Sequence, residues 1–205
     1  MEMSLDAQHQ LKPWFGAPPL ANPPMLEGYE MIAHERMRVG RVAVLGIALI
    51  PVWYLIFELV VAALGGQRTG SLSVSLTTLP LAAIALVLVV VVHEGIHGLA
   101  ALAFGGRPSF GAGPGFFYTT TRKPLQRSGY AVVALGPLAV INGGSIAVAI
   151  LWPSLTGWLL AVSLINVSGV GGDLWMAYRI LRHPRRALFV DLADGFAVYR
   201  PLTVS

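Results

Sequence analysis

Four long apolar runs alternate with short polar segments along the chain. They cover about residues 42–65, 78–104, 129–152 and 157–181, the first reading "VAVLGIALIPVWYLIFELVVAALG". Each supplies the roughly 20 residues needed to cross a hydrocarbon core about 30 Å thick. The pattern predicts an all-α membrane protein, a bundle of four transmembrane helices forming one membrane domain over residues 42–200. Upstream, residues 1–25 hold the proline-rich stretch "KPWFGAPPLANPPM", which predicts an extended, disordered arm. Residues 26–41, "LEGYEMIAHERMRVGR", predict a short helix at the membrane surface. The loop at residues 105–128 opens on Gly and Pro turn signals and then runs "FFYTTT". Six aromatic or β-branched residues in a row predict a short strand or hairpin, one able to pair with an extended peptide.

Composition strengthens this picture. The chain is 205 residues long, 55% hydrophobic and 12% charged, against about 25% charged in soluble domains. Its formal charge of +4 does not point to nucleic acid. The basic residues flank the apolar runs and form no patch with interleaved aromatics. Arg36, Arg38 and Arg41 precede the first run, Arg107, Arg122, Lys123 and Arg127 lie between the second and third, and Arg179, Arg182, Arg185 and Arg186 close the fourth. The other two loops hold only Arg68. By the positive-inside rule both termini and the loop 105–128 are expected in the cytoplasm, in a multi-pass protein of a bacterial cytoplasmic membrane. With acidic residues early and its first apolar run starting near Val42, the N-terminus does not read as a secretory signal.

The second run contains "VVVVHEGIHGLAAL". His93, Glu94 and His97 spell HExxH, which puts both imidazoles on one helix face, four residues apart. Zinc binds imidazole nitrogen at about 2.0–2.1 Å and lowers the pKa of bound water from ~15.7 to about 7. Glu94, one step round the helix, is placed to take a proton as hydroxide attacks a carbonyl. A shuffled chain with the same five His and six Glu yields roughly 0.003 such motifs. An ionisable residue at a bilayer centre costs about 2.5–3.5 kcal/mol, so three within a turn and a half call for a reason. The plainer alternative is a buried, hydrogen-bonded His/Glu cluster. With no cysteine in the chain, any metal must be held by His, Asp or Glu.

Catalytic zinc takes three protein ligands and keeps one position open. The second and fourth runs cross in the same direction. The motif centres ten residues before Gly105, and Asp173 lies nine residues before Arg182. At about 1.5 Å per residue the two depths agree within a turn. Asp173 is therefore the expected third ligand. His183 is a rival, but it lies ten residues further along the chain and would need the chain to fold back. His9 and His34 precede the first run. Glu58 is expected to reach the outer interface. Asn142 and Asn166 are polar residues at membrane depth, suited to hold substrate, to orient a ligand, or simply to bond between helices. Pro137 is expected to kink the third span beside the site. Gly95, Gly98, Gly169, Gly171 and Gly172 allow close helix approach or a local loosening of the fourth span.

Together, "HEGIHGLAALAFGG", the Gly-Pro and Asn of "GPLAVINGG", "NVSGVGGDLW" and the ending "RHPRRALFVDLADGFAVY" resemble a bacterial family of zincin peptidases once described only as a domain of unknown function. They also resemble the three-helix core of site-2-type intramembrane metalloproteases. The resemblance covers about residues 78–200. It implies Zn2+ held by His93, His97 and Asp173, Glu94 as general base, and a membrane protein or peptide as substrate. The leading expectation is thus a zinc-dependent intramembrane or membrane-proximal peptidase set in a lipid bilayer. A non-catalytic binding or regulatory module with a structural zinc or polar cluster is the alternative. An ion path through Glu94 and Asp173 is a third reading, weakened by the absence of any visible repeat.

Overall fold

The computed structural model describes residues 18–67, 79–113, 116–121 and 123–202. Most of the predicted arm, together with His9, Arg68, Thr78 and Arg122, lies outside the described residues. The first two apolar runs form helices α1, Val39–Ala63, and α2, Leu79–Ala103. Their outward faces are mostly apolar: Val44, Ile47 and Leu59 on α1, and Val91 and Leu99 on α2, all stand exposed, as lipid-facing side chains do.

The third run is one span built from three pieces. These are α3, Arg127–Pro137, a π-helical turn, Leu138–Asn142, and α4, Gly143–Leu151. The fourth run is not the continuous helix its hydropathy predicts. It consists of α5, Thr156–Gly169, and α6, Gly171–Leu181, with a bend of 56° at the break. Among the described residues, three helices are long and apolar enough to cross a membrane, or four if the bent pair is one span. This is the build of a membrane protein.

The protein is not all-α, however. The described residues contain six strands in two sheets. Strands β2, Pro108–Gly113, and β3, Phe116–Thr121, form the hairpin expected from the loop after α2. Strands β1, Tyr29–Arg36, β4, Leu125–Gln126, β5, Leu188–Leu192, and β6, Gly195–Pro201, form a second sheet in the order β1-β6-β5-β4. The expected surface helix at residues 26–41 is thus a strand over half its length, Tyr29–Arg36, and joins α1 only at Val39. Its Glu, Met and Ala favour a helix locally. Pairing with β6 from Tyr29↔Pro201 to Arg36↔Gly195 overrides that preference. The end of the predicted arm is also held in place. Ala193 N–H donates to the Leu20 carbonyl (2.8 Å), and the Tyr199 hydroxyl to the Pro24 carbonyl (2.7 Å).

Strand alternation explains why this sheet is stable. Phe189, Phe196 and Val198 point to one face, where they bury against Tyr130 of α3 and Ile180 of α6. Val190, Leu192, Ala197 and Tyr199 point to the other, against Leu20 and Leu26. The sheet is therefore clamped between two helices and the N-terminal segment, at the end of the bundle where α2 and α6 finish and α1 and α3 begin.

Two glycines set the helix crossing at the break. A Cβ on Gly46 of α1 would overlap the Ser168 carbonyl, and one on Gly171 would overlap that of Val42. Backbone thus packs on backbone. Gly171→Val is expected to cost about 1–3 kcal/mol by overpacking. The check is the unfolding midpoint in detergent beside Gly40→Ala, whose added methyl would meet nothing within 4 Å. Near the opposite end, Glu58 does not reach an interface as expected. It is buried on α1, next in sequence to Phe57, which packs with Val61, Ala149 and Leu160.

Candidate metal centre

The HExxH turn lies in the second half of α2, held down by the hairpin. Gly98 leaves room for the ring of Phe110 from β2, which a Cβ would strike. Gly95, by contrast, faces open space. The Thr119 hydroxyl of β3 donates to the Glu94 carbonyl at 3.0 Å.

His93, His97 and Asp173 converge. The Nε2 atoms of the two histidines are 3.1 Å apart. Each lies 3.3 Å from a different carboxylate oxygen of Asp173. The ligand atoms all lie within 4.8 Å of one another, a group that can hold a metal ion. Asp173 is in the first turn of α6, where the helix dipole favours a carboxylate. The break before Gly171 is what lets α6 begin here.

Both rings are held from behind. His93 Nδ1 lies 2.8 Å from Asn166 Oδ1. His97 Nδ1 lies 2.8 Å from the Val133 carbonyl. Each acceptor requires an N–H on Nδ1, which leaves Nε2 with its lone pair facing inward. The Val133 carbonyl is available for a specific reason. In an α-helix it would accept from the N–H four residues on, and that residue is Pro137, which has none. Asn166 is fixed in turn, its Nδ2 donating to Asn142 Oδ1 (2.6 Å) and Asn142 Nδ2 donating to the Ser163 carbonyl (3.1 Å). Both asparagines are buried. They belong to this support and do not face the cleft.

Two inward lone pairs and two carboxylate oxygens thus meet with no hydrogen between them in the neutral rings. Acceptors alone repel, so the group needs a cation or a proton at its centre. A tetrahedral ion with donors at about 2.0–2.1 Å sets those donors roughly 3.3–3.4 Å apart, close to the spacings found. Asp173 Oδ2 and Glu94 Oε2 are buried with no hydrogen-bond partner among the described residues. The donor set fits zinc.

The centre opens into a cleft of about 380 Å³. Its walls include Glu94, Phe117, Thr119, Met176, Leu192 and Pro19. Residues 86–188 match the sequence profile of the family described as "Putative zincin peptidase". The match takes in 103 of the 205 residues. The chain belongs to this family. No curated protein and no solved structure matched the chain, and the likeness of this zincin-peptidase family member to site-2-type proteases rests on the sequence motifs alone.

The other two histidines among the described residues, His34 and His183, lie elsewhere. His34 Nε2 is 2.8 Å from Asp194. His183 Nε2 is 2.9 Å from Glu35, which also binds the Arg179 guanidinium. Burial raises the Glu35 carboxyl, but hydrogen bonds and charge from Arg179 and His183 outweigh it and hold it below its ordinary 4.5. A lowered pKa stabilises the fold above 4.5, and that stability is lost as pH falls below it. Glu35→Gln is expected to cost about 1–2 kcal/mol at neutral pH, less than for a fully buried pair because the Arg179 side chain is 35% exposed. Unfolding midpoints of variant and parent should converge below pH 4.5.

One residue near the centre had no place in the sequence reading. Asp191 of β5 lines the cleft. It accepts the Thr121 N–H at 2.7 Å, the Thr120 hydroxyl at 3.4 Å and the Tyr130 hydroxyl. Burial pushes its carboxyl up to about 6, against the Thr121 and Thr120 bonds. An acid between two hydrophobic residues in "FVDLADG" was the available signal.

Proposed function

We propose that this protein is a zinc-dependent peptidase that cuts an extended segment in or beside the membrane. The reading is carried by the convergence of His93, His97 and Asp173 beside the buried Glu94 Oε2, which has no hydrogen-bond partner among the described residues, all lining an open cleft. A structural zinc is closed by four protein ligands, whereas a catalytic one keeps three and an opening. Three ligands and a cleft favour catalysis over the binding-module alternative.

His93, His97 and Asp173 would hold the ion, with Asn166 and the Val133 carbonyl fixing the rings. Zinc there would supply Lewis acidity, lowering the pKa of water to about 7 and polarising a carbonyl. Glu94 takes the proton from the attacking water and passes it to the departing amine nitrogen. The C–N bond breaks, giving a carboxylate and an amine. The exposed side of β3 offers a strand edge on which an extended peptide can lie. Arg36, Arg38, Arg41, Arg107, Lys123 and Arg127 all flank the sheet-bearing end of the bundle, which supports a cytoplasmic position for the cleft. The test is cleavage of a proteome-derived peptide library by the zinc-loaded chain in detergent, beside Glu94→Gln. Equal cutting by both would remove Glu94 from the chemistry.

A further inference from the structure

The direction of one amide assigns the free edge of the hairpin. Thr121 N–H points to Asp191 Oδ2 at 2.7 Å and so away from β2. In an antiparallel pair, inward and outward residues alternate. The register Pro108↔Thr121, Ser109↔Thr120, Phe110↔Thr119, Gly111↔Tyr118 is unbroken. Thr120 and Tyr118 therefore bond to β2, and Phe117, Thr119 and Thr121 direct their N–H and C=O groups outward. Among the described residues β3 pairs with no other strand. Phe117 and Thr119 both line the cleft that holds Glu94.

Asp191 closes the third of these positions. Its carboxylate sits where the carbonyl of an added strand would otherwise accept from Thr121. It is anchored there from two sides, by β5 beneath it and by the Tyr130 hydroxyl from α3. The hairpin is pinned again at Thr119, whose hydroxyl holds the Glu94 carbonyl. The spacing between the stopped end of the edge and the HExxH turn is thus fixed by two hydrogen bonds from β3, Thr121 N–H to Asp191 and the Thr119 hydroxyl to the Glu94 carbonyl.

We infer that Asp191 is a register stop: it ends the usable edge of β3, so that an extended peptide pairs with Phe117 and Thr119 and presents one bond to Glu94. This rests on the peptidase reading above. It also goes beyond the family match, which ends at residue 188. Asp191 is a specificity-determining residue, touching no reacting atom. Removing it frees a third outward amide, and a strand ladder can slip only in steps of two residues without turning its side chains over.

The test compares the zinc-loaded chain with Asp191→Ala on a proteome-derived peptide library, mapping cut positions by mass spectrometry. Asp191→Ala should add products displaced by two residues from the parent cuts. Asp191→Asn, which keeps an acceptor for Thr121, should retain the parent pattern. A merely structural role would slow all cuts without moving them, and unchanged positions in Asp191→Ala would overturn the inference. A second measurement needs no turnover. Amide exchange on the full chain in detergent should show Thr121 protected about tenfold or more over Phe117 and Thr119. That protection should survive in Asp191→Asn and be lost in Asp191→Ala. Equal exchange at the three amides in the parent would sink the register stop. A library left uncut by the zinc-loaded parent would instead sink the peptidase reading, with the exchange result still deciding the role of Asp191.

Discussion

Glu94→Gln is expected to lower peptide cleavage by about 10²–10⁴-fold, the usual contribution of a general base, while about one zinc remains bound per chain. The two outcomes separate because Glu94 is outside the metal-capable group formed by His93, His97 and Asp173. Its carboxylate oxygen Oε2 has no hydrogen-bond partner among the described residues, so an amide of the same shape breaks no bond at that atom. Its backbone carbonyl keeps the Thr119 hydroxyl. The fold and the metal should therefore survive as the proton acceptor disappears. Zinc by atomic absorption, an unfolding midpoint and a cleavage rate on the same preparation check all three. Loss of zinc along with activity would mean that Glu94 holds the ion.

The ligand substitutions should behave in the opposite way. His93→Ala or His97→Ala is expected to take the zinc content from about one per chain to almost none, with activity falling alongside. Removing either ring leaves two ligands for a tetrahedral ion. It also leaves the buried carboxylate of Asp173 facing a single imidazole where it now faces two, each at 3.3 Å. An uncompensated buried charge is costly, so these variants should also unfold more readily than Glu94→Gln. Full zinc in both variants would refute the metal assignment, whatever became of cleavage.

The parts of this protein that follow local periodicity could be read from the chain. HExxH places two rings on one face by helix geometry alone, and hydropathy located the apolar spans within a few residues. Depth matching points to Asp173, and its carboxylate lies 3.3 Å from both rings although α6 is bent 56° from the helix before it. What escaped was decided at long range. Strand β1 exists because β6, more than 150 residues later, pairs with it. Strands β5 and β6 carry a local signal in "LFVDLADGFAVY", two β-rich runs around a turn. The three glycines beside Val170 suit either close packing or a break, and composition does not choose between them. Asp191 gains its partners from β3 and α3, neither adjacent in sequence.

Pro137 also bears on the metal-capable group. Because His97 takes up the carbonyl that Pro137 leaves without a donor, the posture of α3 and occupancy of the metal centre are thermodynamically linked. An ion that favours the inward Nε2 lone pair favours, by the same free energy, the helix shape that supplies its support. The reciprocal holds as well. Any lipid, partner chain or substrate that draws the Val133 carbonyl away from His97 would weaken the hold on an ion by an equal factor. A proton missing from one imino acid thereby ties a membrane helix to the chemistry on the helix packed beside it.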